Sequence, residues 1–323
     1  MLRYITKRLL LIPPMLIGIS LITLLAMHLT PGDPASMRYG LNPEVSGSAR
    51  AHLKELYGLD KPVIIQYGGW LKRIVTLDFG DSFIDDRPVI EKIKERLPAT
   101  LILQISALIL IFSLALPIGV MSAVKQNSFF DKATTFLVFI GFATPTFWLA
   151  LLLMRFFGFQ LEWLPISGMS PWYAQDYSLS RRILDLLWHL ILPLFTLAFT
   201  GLAGISRYTR YSMLEVIRQD YIRTARAKGL KENKIIYHHA LKNALLPVIT
   251  ILGLTLPALI GGSFIFETIF AWPGMGRLMY TAILQYDYPV VMGVGIISVF
   301  LTLIGILISD ILYAVVDPRI RYE

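Results

Sequence analysis

The sequence predicts an all-α polytopic membrane protein with six transmembrane helices, and three observations lead there. Six stretches of at least 21 residues lack Asp, Glu, Lys and Arg: Leu9–Gly32, Leu97–Val124, Ala133–Met154, Leu186–Ser206, Asn243–Phe266 and Tyr288–Ser309. At about 1.5 Å per helical residue each can cross a hydrocarbon layer of roughly 30 Å. Apolar residues make up 55% of the 323 and charged residues only 16%, too few to cover a water-soluble core. The basic residues also fall on one side. With the N-terminus inside, the inner segments 1–8, 122–133, 207–243 and 316–323 hold 16 Lys and Arg against 6 Asp and Glu, and the outer segments 30–98, 160–185 and 267–289 hold 13 against 15. Both termini are therefore expected in the cytoplasm. The net charge of +8 is read by side, as an orientation signal and not as a nucleic-acid footprint.

The first stretch follows Arg3, Lys7 and Arg8. It is too long for a secretory signal core and Ala26-Met27-His28 is a poor cleavage site, so it is expected to be retained as a span with Pro13 and Pro14 near its start. Residues 1–32 form a first unit and 33–96 a helical extracytoplasmic insertion. Within the insertion, Ser48 caps a helix ending at Gly58, and Asp60-Lys61-Pro62 opens another with Val63, Tyr67, Trp70 or Leu71, Ile74 and Leu77 at helical spacing. A third runs from Pro88 through Ile90, Ile93 and Leu97 straight into the second span. Acidic and basic residues balance here, so no lure for a charged ligand is evident; a solvated cap over the bundle is expected, with packing over the outer mouth or against a partner protein as the alternative.

Residues 97–323 supply the remaining five spans. Pro117, Pro145, Pro193 and Pro257, with Gly141, Gly201, Gly204 and Gly253, mark places for bends or close packing. Arg155 and Asp310 lie near enough to span ends to reach the interface. The inner loop 207–243 carries nine Lys and Arg and reads as two helices separated by Gly229, with Leu214, Ile217, Tyr221 and Ala225 on one face of the first. Gly229 suits the left-handed position that ends a helix, and Ala225 and Ala227 allow close approach by another element. After the fifth span, Phe270 and Trp272 sit at interface depth, before a turn at Pro273-Gly274-Met275-Gly276 and an amphipathic stretch through Leu278 and Ile283. Aromatic anchoring at the bilayer surface and an outer gate are both open for this loop.

Chemistry is sparse. The absence of cysteine excludes disulfides, thiolate metal sites and Cys nucleophiles. No G-x-x-x-x-G-K-[ST] loop or H-E-x-x-H string occurs, and of the five histidines only His28 and His189 lie within uncharged stretches, both near an end, which disfavours an intramembrane protease. No selectivity-filter string speaks for a channel.

The string Asp220-Tyr221-Ile222-Arg223-Thr224-Ala225-Arg226-Ala227-Lys228-Gly229-Leu230, followed by Asn243-Ala244-Leu245-Leu246-Pro247, resembles the cytoplasmic coupling loop of ABC importer permeases in the dipeptide, oligopeptide and nickel branch. Other strings of that family lie in order along the whole chain: Thr30-Pro31-Gly32-Asp33-Pro34-Ala35, Tyr57-Gly58-Leu59-Asp60-Lys61-Pro62, Asp78-Phe79-Gly80 and Pro145-Thr146-Phe147-Trp148. Glu267-Thr268-Ile269-Phe270-Ala271-Trp272-Pro273-Gly274-Met275-Gly276-Arg277, Asp287-Tyr288-Pro289 and Asp317-Pro318-Arg319 complete the series. The general importer loop begins Glu-Ala-Ala; here those places read Arg223-Thr224-Ala225, so the carboxylate is missing.

The resemblance implies the fold of a type I importer permease and half of a pathway for di- or oligopeptides, with nickel or another small solute as the alternative cargo. It implies contact with membrane lipid, a second homologous permease subunit, two ATP-binding cassette subunits that bind the ATP and magnesium, and an extracytoplasmic substrate-binding protein. No cofactor, metal site or catalytic residue is expected in this chain, nor a nucleic-acid partner. Tyr221, Arg223, Thr224, Ala225, Ala227, Gly229 and Leu230 are the expected contacts to the ATPase; Glu267, Trp272, Pro273, Gly274 and Gly276 form the candidate outer gate.

Overall fold

In the computed structural model, residues 2–30, 32, 55, 58–170, 177–255, 259 and 262–316 are described, and among them the architecture is helical apart from an isolated bridge between Asp81 and Pro88. The elements are α1 (Leu2–Leu29), α2 (Val63–Ile74), α3 (Val89–Val124), α4 (Phe129–Ala143), α5 (Thr146–Gln160, π-helical from Met154), α6 (Leu179–Ile217) and α7 (Asp220–Ala227). They continue as α8 (Glu232–Ala244, π-helical over Ile235–Ala240), α9 (Leu246–Thr255), α10 (Phe264–Ile269), α11 (Met275–Leu284) and α12 (Tyr288–Val316). Four helices, α1, α3, α6 and α12, are each long and apolar enough to span a bilayer; the bent pairs α4–α5 and α8–α9 bring the number to six. The Ser48-capped helix, Pro257 and the Asp317-Pro318-Arg319 string lie outside the described residues.

Several elements differ from expectation. The first helix begins at Leu2, so Pro13 and Pro14 stand well inside it. The third uncharged stretch is two helices set at 100°: Thr144 is extended (φ −89°, ψ 118°) because Pro145 disfavours a helical conformation in the residue before it. Pro117 and Pro193, by contrast, sit within the unbroken α3 and α6. The fourth span extends far past its apolar stretch in both directions, reaching 39 residues or about 58 Å. Within the insertion, Leu77 falls beyond the end of α2, exposed and at φ +57°. The insertion is also more than a solvated cap: Tyr67 and Trp70 pack on Leu24 and Met292, and the Tyr67 hydroxyl donates to the carbonyl of Ile17 (2.8 Å), well along the apolar part of α1.

The bundle is organised around α3 and α6, which share its most extensive helix–helix contact. Close approach depends on missing side chains. A Cβ at Gly119 would lie 2.6 Å from the Ser206 carbonyl oxygen, and one at Gly201 would run into the Ile111 side chain. At the end where α3 gives way to α4, the buried Asp131 ties three helices together. Its carboxylate accepts from Arg210 Nε (2.7 Å) and Nη2 (2.9 Å) of α6, from the Ser122 hydroxyl of α3 and from the Asn127 amide (2.9 Å). Ser128 caps α4 through the Asp131 amide (3.3 Å). Across the molecule Asp310 of α12 accepts from Tyr4 (2.7 Å) and pairs with Arg8 (3.2 Å), holding α1 to α12.

Asp131 is buried and its partner is mostly buried, so removing either leaves an uncompensated charge. D131A or R210A is expected to cost about 3 kcal/mol of stability, with the double variant costing less than the sum of the two. Thermal unfolding of the detergent-solubilised protein, followed by loss of the monodisperse chromatographic peak, measures this.

Candidate functional site

A basic elbow starts where α6 stops, at Arg218-Gln219, and a helical break there separates Leu214 and Ile217 from Tyr221 and Ala225. These four do not share one helix face as expected. The short α7 instead turns Ile222 and Ala225 inward, into a core with Val120 and Ala123 of α3, Met213 of α6, and Ile235, Ile236, Ala240 and Ala244 of α8. Gly229 has φ +73°, the left-handed conformation that ends a helix. Open space surrounds its Cβ position within this chain, so the local demand on that residue is conformational, not steric. Across the turn Arg226 Nη2 pairs with Glu232 Oε1 at 2.7 Å. Both groups are well exposed, and such a pair adds at most about 1 kcal/mol. Asn243 Nδ2 donates to the Tyr221 hydroxyl (2.8 Å), fastening the start of α7 to the end of α8.

Of the seven residues expected to meet a partner, Tyr221, Arg223, Thr224, Ala227 and Gly229 are exposed, Leu230 is half-buried and Ala225 is buried. Ala225 therefore serves the mounting of α7, together with Ile222, which the sequence reading passed over. The signal was present: Ile222 is the one large aliphatic residue between Gln219 and Leu230.

At the opposite end, α10, a tight turn and α11 form a knot around a carboxylate. Glu267 is fully buried; Oε1 accepts from the Thr100 hydroxyl of α3 (2.9 Å) and Oε2 from the Arg277 amide (2.9 Å), with the Gly276 amide as a further donor. It thus satisfies free amides at the start of α11, where a negative charge also suits the helix dipole. Thr100 Oγ1 accepts in turn from the Met275 amide (2.7 Å). Glycines leave room for the acid: a Cβ at Gly274 would stand 2.5 Å from Glu267 Oε1, and one at Gly262 2.6 Å from the same atom. Gly276 passes the backbone of Phe264, where a Cβ would lie 2.7 Å from the amide nitrogen.

Trp272 is fully buried, donating from Nε1 to the Ala99 carbonyl (2.8 Å), and Phe270 is 1% exposed beside Ala150, Leu192 and Phe266. Of the two readings open for this loop, anchoring in the bilayer surface does not hold for these residues, because both side chains fill the protein's interior. Pro273 is half-buried in the turn, and Ile283 of α11 faces outward while Met275 and Ala282 face in. Glu267, Gly274 and Gly276 are thus gathered around one carboxylate, and Trp272 is fastened one residue along α3 from Thr100.

A second buried acid, Asp287, joins the segment ahead of α3 to α12. The Ser82 hydroxyl donates to Oδ2, the Phe83 amide to Oδ1 (3.0 Å), and Lys92 Nζ lies 3.9 Å away. Phe79 packs with Val290 and Val291, and Gly32 presses on the Tyr286 ring, where a Cβ would lie 2.5 Å from Cζ. Strings separated by more than 200 residues meet here. The Ser82–Asp287 and Thr100–Glu267 contacts escaped the sequence reading, which held only one hint of them: carboxylates placed directly against apolar stretches.

Burial pushes Glu267 and Asp287 above their ordinary carboxylate range, against the opposing effect of the hydrogen bonds they accept. Each therefore takes up a proton on folding within the window between its ordinary and raised values. Stability is greatest below that window and falls as pH rises through it. E267Q is expected to reduce the pH dependence of the melting temperature above the ordinary carboxylate range. G274A is expected to cost about 1–3 kcal/mol by overpacking the acid. An unchanged slope in E267Q would remove Glu267 from this account.

Apolar spans in two bent and four continuous helices, a basic elbow mounted on them and a knotted opposite end define a multi-pass transport subunit. The chain belongs to the family described as binding-protein-dependent transport system inner membrane component, whose model matches residues 115–322, and the model of that family's N-terminal part matches residues 1–104. It is 46% identical over 320 residues to the oligopeptide transport system permease protein AppB of Bacillus subtilis (strain 168), covering 99% of both chains. It is 42% identical over 337 residues to the dipeptide transport system permease protein DppB of Alkalihalophilus pseudofirmus, and 38% over 340 residues to DppB of Escherichia coli (strain K12), with full coverage of each chain. The protein is a transmembrane permease subunit of a binding-protein-dependent ABC importer in the inner membrane. It is not itself an enzyme, and ATP is hydrolysed by separate subunits.

Proposed function

We propose that this permease carries di- or oligopeptides and forms half of their pathway with a second, homologous permease subunit. Two ATPase subunits that bind ATP and magnesium act from the cytoplasm, and the substrate-binding protein delivers cargo at the other face. The relatives compared above are permeases for oligopeptides and dipeptides by name. In this reading 1–32 is the first span with a cytoplasmic N-terminus, 33–96 the extracytoplasmic insertion and 97–323 the core, both termini lying inside. The outer knot is the permease's face toward the binding protein.

The mounting of α7 carries the mechanism. Ile222 and Ala225 join it to α3, α6 and α8, while Tyr221, Arg223, Thr224 and Ala227 stand exposed. Such a helix transmits displacement: a partner gripping the exposed side moves the spans through the buried side. Closure of the ATPase pair around α7 turns the attached helices and switches the side to which the pathway opens.

The native chain has no cysteine, so single cysteines report cleanly. A227C is expected to react with an impermeant thiol reagent only from the cytoplasmic side, and E91C only from outside. R223C should crosslink to an ATPase subunit. G229V, which places a branched side chain at positive φ, should abolish uptake with normal insertion. Full uptake by G229V, or labelling of A227C from outside, would overturn the lever.

A further inference from the structure

Beside the outer knot, α3 and α11 enclose a cavity of about 330 Å³ whose chemistry the transport cycle above leaves unused. Arg277, Thr281 and Gln285, one helical turn apart, line it from α11; Lys92 and Arg96 line it from α3. The carboxylates at its border are already engaged. Asp85 holds Lys92 (3.0 Å), Glu95 holds Arg87, and Asp287 accepts from Ser82 and Phe83. Neither Arg96 nor Arg277 forms an ion pair within 4 Å among the described residues, although Arg96 acts electrostatically on the neighbouring Glu95, which is itself paired with Arg87. Arg277 Nη1 donates to the Ala271 carbonyl (2.7 Å), which fixes the guanidinium and leaves its other donors available.

Two guanidinium groups outside any close ion pair, on a cavity whose carboxylates are each engaged by other donors, suit an oxyanion, which each can bind with two parallel donors. Two further observations select its source. Arg96 directly precedes Leu97, where the uncharged stretch of α3 begins, so the cavity lies at headgroup depth. On α11, Tyr280 and Leu284 flank the polar row and are exposed, and Tyr280 stacks on the exposed Phe264 at 5.9 Å. A charged socket bordered by an apolar shelf matches an amphiphile, whereas a soluble protein's carboxylate would need no shelf. We infer that this cavity binds the phosphodiester headgroup of a membrane phospholipid, with its acyl chains on Phe264, Tyr280 and Leu284. The inference rests on membrane embedding and not on the cargo or on which side faces out.

The test uses the assembled transporter, delipidated in detergent, with dioctanoyl phosphatidylglycerol as probe, read by native mass spectrometry and thermal unfolding. Wild-type protein is expected to retain the lipid and to melt higher with it. R96Q should weaken retention about tenfold or more, as loss of a charge-assisted hydrogen bond does. R277Q should act likewise, and R155Q, on an exposed arginine at another span end, should change nothing. R96Q carries the test if R277Q fails to fold. Retention unchanged in R96Q would overturn the site. Equal stabilisation by glycerol 3-phosphate, or by a dipeptide without lipid, would overturn the lipid assignment.

Discussion

The close approach of α3 and α6 is the constraint on which the other features depend. Where Gly119 meets the backbone of Ser206 and Gly201 meets Ile111, two long helices approach more closely than bulkier residues would allow. Lipid tails are as apolar as the helices themselves, so association here rests on packing and polar contacts and not on the exclusion of water. α3 then carries both ends of the molecule. Thr100 and Ala99 receive the outer knot, while Val120, Ser122 and Ala123 hold the elbow and the Asp131 cluster. A shift of α3 against α6 would be felt by all of these at once.

Three buried acids among the described residues show how one chain meets the same cost in different ways. Asp131 has a bidentate arginine; Asp287 has a hydroxyl, an amide and a lysine at the edge of reach; Glu267 has hydroxyl and amide donors alone. Amides at a helix start cannot move away from the charge, so the Glu267 arrangement is stiff by construction. The knot around Glu267 is consequently rigid. Rotation costs less where the helical hydrogen-bond ladder is already interrupted: at Thr144-Pro145, at Arg218-Gln219 and at Gly229.

Much of this was legible in the sequence, for identifiable reasons. The uncharged stretches located every span because charge is so costly in lipid. Gly229 disclosed its positive φ because a lone glycine after an apolar-periodic segment has few other uses. The length of α6 was hidden because Arg207 and Arg210 end an apolar stretch without ending a helix. Pro145 was named as a bend site, but its 100° angle was not predictable, since Pro117 and Pro193 leave their helices unbroken. The sequence leaves Phe270 and Trp272 open between two roles because aromatic residues beside a span have the same composition whether they face headgroups or another helix. The contacts of Glu267 and Asp287 join residues 167 and 205 positions apart, and no local pattern encodes such pairings.

The elbow separates two demands that a single helix rarely keeps apart. Its inward residues, Ile222 and Ala225, are set by the packing of this chain, whereas Arg223, Thr224 and Ala227 have little to do within it. The carboxylate of the general importer loop is replaced here by Arg223, which is exposed and 3.5 Å from the equally exposed Asp220. That substitution leaves the mounting untouched because position 223 lies outside the packed core. What differs is the electrostatic character of the side offered to a partner, which becomes more basic with Arg223, Lys228 and Lys231 exposed in succession. Exposed charge at position 223 can therefore be altered without disturbing the packing of Ile222 and Ala225.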